Sequence, residues 1–168
     1  DMVTSTSAVG RLLPPISSLL RPPPEDELRE YGGVGLVRRK RVIDVGCGDG
    51  RMALGCAPYA SEVVGVDPDR EAIRLARSKS RELGAANVRF KVGIAQQLPF
   101  PDEHFDTVVC NSNLEHLFYL DRNVAECLRV LRRGGTFIWM EPNSGHWRYR
   151  LWLLFGRWPY IPNSPTDP

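Results

Sequence analysis

Residues 41–50 read RVIDVGCGDG: branched apolar side chains carrying one acid, Asp44, and then three glycines in five positions, Gly46, Gly48 and Gly50. Short continuous apolar runs of this kind suit strands buried on both faces of a parallel sheet. Glycines directly behind such a strand belong where the backbone turns tightly and a ligand must approach it without Cβ atoms in the way. The runs Val63 to Val66, Val108 to Cys110 and Phe137 to Met140 repeat the apolar pattern. Asn87 to Val92 differs, because Val88, Phe90 and Val92 alternate with Arg89 and Lys91, and this places that strand at an edge.

Helical patterns separate the strands. Asp69 to Leu83 opens with acids, sets Ala72, Ile73, Ala76, Lys79 and Leu83 on about one face, and stops at Gly84. Asp121 to Leu131 has Val124, Cys127, Leu128 and Leu131 as its apolar stripe, with Arg129, Arg132 and Arg133 near its negative end and Gly134-Gly135 as its stop. A short helix is expected from Pro24, ended by Gly32-Gly33, and Arg38 to Arg41 reads as the solvated entrance to the first strand. The alternation predicts an α/β fold with a doubly wound, mostly parallel sheet. In such sheets ligands bind beyond the carboxyl ends of the strands, where strand order reverses, and the first strand-to-helix turn lies there.

With 168 residues, 42% hydrophobic and 25% charged, the chain has the composition of one globular domain with a real core. A net charge of +2 gives no support to a nucleic-acid partner, and none is expected. No apolar run approaches the ~20 residues that a spanning helix requires, so a soluble, cytoplasmic chain is expected. Cys47, Cys56, Cys110 and Cys127 form no C-x-x-C pair and read as reduced thiols, with no metal site. Residues 1–24, rich in Ser, Thr and Pro, read as a flexible leader; a transit peptide has the same composition, which makes an organelle the alternative compartment. Residues 25–143 are expected to form the folded domain and 144–168 an amphipathic, aromatic and basic C-terminal segment.

The ligand class follows from what stands after the glycines. A dinucleotide turn reads G-x-G-x-x-G/A, and here Arg51 occupies the third position, so that fingerprint fails. Asp67 stands at the end of the next strand, where an acid accepts both hydrogen bonds of a ribose diol. A nucleoside ligand without a pyrophosphate is favoured.

At these residues the sequence resembles the class I S-adenosylmethionine-dependent methyltransferases, especially the small-molecule branch with the quinone and sterol methyltransferases. The resemblance runs from Tyr31 to about Asn143 and rests on VIDVGCGDG, VVGVDPDREAIRLAR, QQLPFPDEHFDTVVCNSNLEHL and LRRGGTFIWMEP. It implies S-adenosyl-L-methionine as cofactor, leaving as S-adenosyl-L-homocysteine. Asp44 and the loop Gly46, Cys47, Gly48, Gly50 would hold its amino-acid part, Asp67 its ribose hydroxyls, Pro68 its adenine face, and Asn111 would line the methionine end. Each has a structural alternative: Asp44 capping the loop, Asp67 starting the Pro68-Asp69 turn, Asn111 satisfying buried backbone.

The chain departs from that pattern in two places. Where the family commonly carries an aspartate that accepts from the adenine amine, this chain has Ile94, leaving the Ala95 backbone N–H and apolar packing to hold the base; cofactor affinity weaker by about 0.5–1.5 kcal/mol is expected. After Met140 no two further strands are legible, so the sheet is expected to lack the family's last two and to end on an apolar edge, as a fragment would or as a chain whose edge is covered by a dimer mate or partner. His146 to Tyr160, with Arg148, Arg150 and Arg157 among its tryptophans, has three readings: a helix over that edge, a substrate lid, or a peripheral membrane contact.

Methyl transfer from a sulfonium is an in-line displacement in which alignment and exclusion of water supply much of the rate. A hydroxyl acceptor must also lose a proton, and His116 beside Glu115 is placed to take it, or else to cap the following helix. The resulting expectation is methyl transfer to a small-molecule or lipid-like acceptor. Its alternative is a non-catalytic domain of the same fold serving as a partner-binding or structural subunit.

Overall fold

The computed structural model describes residues 23–30, 32–111 and 119–140, and in it Arg41–Val45 is strand β1. The other strands are β2 (Glu62–Asp67), β3 (Val88–Val92), β4 (Phe105–Asn111) and β5 (Leu131–Met140). The helices are α1 (Pro24–Glu30), α2 (Arg51–Cys56), α3 (Arg70–Glu82) and α4 (Leu120–Val130), with a 3-10 turn at Val34–Leu36. The strands form one sheet in the order β3-β2-β1-β4-β5, every pair parallel, so β3 lies at an edge as its alternation predicts. Chain order runs outward from β1 in both directions, which puts the reversal between β1 and β4.

Both faces of the sheet are covered, which is why its strands read as continuous apolar runs. Val42, Val63, Val88 and Phe90 pack on one face with Leu28 of α1, Met52 and Cys56 of α2, and Ile73 and Ala76 of α3. Ile43, Val45, Val64, Val66 and Val108 pack on the other with Cys127 and Val130 of α4 and with Ala95 and Leu98 of the β3–β4 connection. Phe105 and Ile43 are fully buried, and each such side chain contributes about 1.5–3 kcal/mol through area removed from water. Among the described residues no helix is long and apolar enough to cross a membrane.

Three expectations are corrected. Leu83, placed on the apolar face of its helix by periodicity, is exposed because α3 has already ended at Glu82; Ser80, bonded to the Ala85 carbonyl, takes the buried position instead. Leu128 is exposed too, and α4 buries Asn123, Cys127 and Val130. Gly134-Gly135 does not stop a helix. The chain turns straight from Val130 into β5, and the pair sits in a bulge where the register jumps from Phe105 opposite Leu131 to Thr107 opposite Thr136, with Gly134 at φ +70°. Arg132 and Arg133 therefore belong to the strand, where they face Asp106 and Glu103.

Candidate functional site

The turn from β1 into α2 needs backbone that other residues resist: Gly46, Gly48 and Gly50 have φ of +73°, +51° and +84°. Gly48 and Gly50 differ in surroundings. A Cβ at Gly50 would lie 2.7 Å from the Phe90 ring, and one at Gly65 on β2 would lie 2.6 Å from the same ring and 2.8 Å from Cys47 Sγ. A Cβ at Gly48 would meet nothing within 4 Å. Gly50 and Gly65 are therefore glycine for packing, and Gly48 is the point at which the loop lies open.

Four of the loop's N–H groups are used within the fold. Gly46 and Cys47 donate to the Val66 carbonyl at 2.8 and 3.0 Å, Gly48 donates to Asp67 Oδ2 at 2.7 Å, and Gly50 donates to the Cys47 carbonyl at 2.9 Å. What the loop offers at Gly48 is open surface, with these N–H groups already engaged inside the fold. This differs from a phosphate cradle, whose N–H groups point at the ligand, and agrees with Arg51 standing where a dinucleotide turn has its third glycine.

Asp67, at the carboxyl end of β2 beside the loop, accepts from Gly48 through one oxygen and from the Asp69 N–H through the other at 2.9 Å. The turn-starting role left open by the sequence is thus realised. An ionised carboxylate has about four acceptor sites, so two remain for hydroxyl donors. Pro68 is exposed and follows directly, and Asp69 then caps α3 by accepting from Glu71 and Ala72 N–H at 2.8 and 3.3 Å. Lys79 of α3 pairs with Asp49 and ties the loop to that helix.

Asp44, 1% exposed, lies on the β1 face that also carries Cys47 and Cys56. Burial, with Asp44 and then Asp67 adding like charge, pushes the Cys47 thiol well up, and burial with Asp44 pushes Cys56 up to about 12. Both are protonated at neutral pH and neither is a nucleophile there. Cys47 packs inward, so only its backbone borders the open loop. Asn111 ends β4, next in the sheet to β1 and half-buried. Beyond β3, Gly93 donates to the Asp67 carbonyl at 3.1 Å and brings Ile94, 48% exposed, and Ala95, buried, alongside that acid. Asp44, Gly46, Gly48, Asp67, Ile94, Ala95 and Asn111 thus all come from the carboxyl ends of β1 to β4 or the turns leaving them. Glu115 and His116 lie outside the described residues, as does the segment 146–160.

The residues present fit a nucleoside with a charged amino-acid tail. The observation is the open Gly48 beside an Asp67 carboxylate with acceptor capacity to spare, at the point where strand order reverses. What sequence reasoning missed is Phe90: its place in an edge strand gave no sign that its ring floors the glycine loop.

A family model described as a methyltransferase domain matches residues 43–139. The uncharacterized methyltransferase YcgJ of Bacillus subtilis (strain 168) is 41% identical over 101 residues, 60% of this chain and 40% of that protein. Its crystal structure superposes with a TM-score of 0.60 at 39% identity over 63% of this chain and 48% of the other. A ubiquinone biosynthesis O-methyltransferase of Alkalilimnicola ehrlichii is 32% identical over 72% of this chain and 49% of its own length. A fatty-acid O-methyltransferase of Mycolicibacterium smegmatis is 38% identical over 62% of this chain and 38% of its own. The chain spans less than half the length of these curated relatives.

Proposed function

The chain belongs to the methyltransferase-domain family, and from that premise we propose that it is the S-adenosyl-L-methionine-binding part of an enzyme that methylates a small-molecule or lipid-like acceptor. The observation that carries this reading is the open glycine loop beside Asp67. The acceptor class is supported by the relatives, one named for ubiquinone biosynthesis and one for fatty acids.

When bound, the cofactor supplies an electrophilic methyl group on a sulfonium. The chain's own residues bind and orient. Asp67 would accept from the ribose diol, the carbonyls of the Gly46–Gly50 loop and the charge of Asp44 would hold the amine, and Asn111 would border the methionine end. Fixing donor and acceptor in line converts a bimolecular step into a unimolecular one, which is where most of the rate arises. For a hydroxyl acceptor, His116 would take the proton with Glu115 beside it.

The reading is tested by calorimetric titration of this chain with S-adenosyl-L-methionine and S-adenosyl-L-homocysteine, alongside Asp67→Ala. Saturable binding that falls tenfold or more in the variant supports it. No binding by the unaltered chain at millimolar ligand would refute it for this chain and leave a non-catalytic, partner-binding domain.

A further inference from the structure

Three carboxylates lie close to the glycine loop. Burial first, and then like charge from Asp44, Asp67 and Asp49, pushes up the Cys47 thiol within it. Asp49 has one cationic partner among the described residues, Lys79, whose Nζ lies 2.5 Å from its Oδ2. That lysine stands one turn beyond Ala76 on the stripe of α3 that buries Ile73 and Ala76, and it reaches the loop from 30 positions away in the chain. Asp49 also carries the loop's remaining donor. Its N–H has no partner among the described residues, whereas those of Gly46, Cys47, Gly48 and Gly50 are engaged.

A ligand tail that bears both an amine and a carboxylate makes opposite demands on such a loop. The acids serve the amine. The carboxylate needs a donor, and at the Asp49 N–H it would stand next to the carboxylate of that same residue, a like charge that disfavours it. Resting on the S-adenosyl-L-methionine reading above, we propose that Lys79 is a positioning residue for the carboxylate of the ligand's amino-acid tail: by pairing with Asp49 it cancels the charge that would repel that carboxylate from the Asp49 N–H. Lys79 acts through Asp49 and touches no reacting atom. Neither residue is among those that the family resemblance places on the cofactor.

Two ligands separate this role from a structural one: S-adenosyl-L-homocysteine and its decarboxylated analogue, which keeps the amine and lacks only the carboxylate. Lys79→Met keeps an apolar stem and removes the charge, and thermal melting checks that the variant is folded. By calorimetry it is expected to bind S-adenosyl-L-homocysteine about fivefold more weakly than the unaltered chain and the analogue within about twofold. Adding Asp49→Asn removes the uncompensated charge and is expected to bring S-adenosyl-L-homocysteine back to within about twofold of the unaltered chain. The loss should shrink at about 1 M salt, where the screening length is about 3 Å. An equal loss for both ligands in Lys79→Met would overturn the inference, as would an unchanged affinity for S-adenosyl-L-homocysteine or a double variant no better than the single, and each leaves the cofactor reading intact. Where the unaltered chain holds only S-adenosyl-L-homocysteine, the double variant decides: recovery supports the inference and its absence overturns it. Binding of neither ligand by the unaltered chain would overturn the cofactor reading and this inference with it.

Discussion

At the scale of residues, the site is governed by which glycine does which task. Gly65 has a conformation open to any residue, yet a Cβ there would press within 2.6 Å of Phe90 and 2.8 Å of Cys47 Sγ. Gly65→Ala should therefore destabilise the domain by about 1–3 kcal/mol, the usual cost of overpacking a filled core, read as a lowered urea midpoint at unchanged slope. Combining it with Phe90→Leu should recover part of that loss, so the double variant is more stable than the sum of the singles requires; strict additivity would show that the ring is not what fills the space. Gly48→Ala should cost less through packing, since nothing lies within 4 Å, and its effect should come from the φ of +51° and from ligand binding. The sequence made the three glycines and both acids legible by spacing. It did not distinguish the packing glycines from the open one, because that depends on a ring brought in from β3.

Among the elements, α4 shows how one side chain organises a connection. Arg129 donates to the Leu98 and Phe100 carbonyls at 3.0 and 2.9 Å and to Asp102 and Glu126, fastening the loop between β3 and β4 to the helix, while Glu126 accepts from the Leu98 N–H at 2.8 Å. Arg129→Met keeps the apolar stem and strands these acceptors, so a loss of about 1.5–3 kcal/mol is expected from chemical denaturation. The Arg129 hydrogen bond, helped by the Leu98 N–H, holds the Glu126 carboxyl below the usual range. A depressed folded-state value means that its stabilisation is present above about pH 4.3, the unfolded value, and is lost as pH falls through the folded one. Glu126→Gln should accordingly flatten the stability profile below about pH 5, and an unchanged acid limb would dissociate Glu126 from it. At the start of α3, Asp69→Ala removes a cap that accepts from two N–H groups, with an expected cost of about 0.5–2 kcal/mol in thermal or urea melts. Periodicity located both helices, and it misjudged Leu83 and Leu128 because boundaries and the side of contact are decided by neighbours that a single helix pattern does not contain.

For the whole molecule, five parallel strands place β1, β2 and β4 between neighbours and leave β3 and β5 at the edges. Native-state hydrogen exchange should then be slowest in β1 and β4, with β3 amides exchanging faster; equal protection across the sheet would contradict this order. The topology was legible because continuous apolar runs and one alternating run distinguish buried strands from an edge strand. The bulge of β5 was not, since two glycines after a helix carry the same local signal whether they end the helix or bend a strand.

Phe90, Gly50 and Gly65 form a set whose members come from three separate elements and share one volume, with the ring occupying the room that both glycines leave. Descent should treat these positions as a linked trait. A lineage that acquires alanine at 50 or 65 is expected to persist only where position 90 has already shrunk, so across related sequences the two changes should be inherited in that order, and an edge strand far from the glycine motif in the chain should carry the record of how that motif evolves.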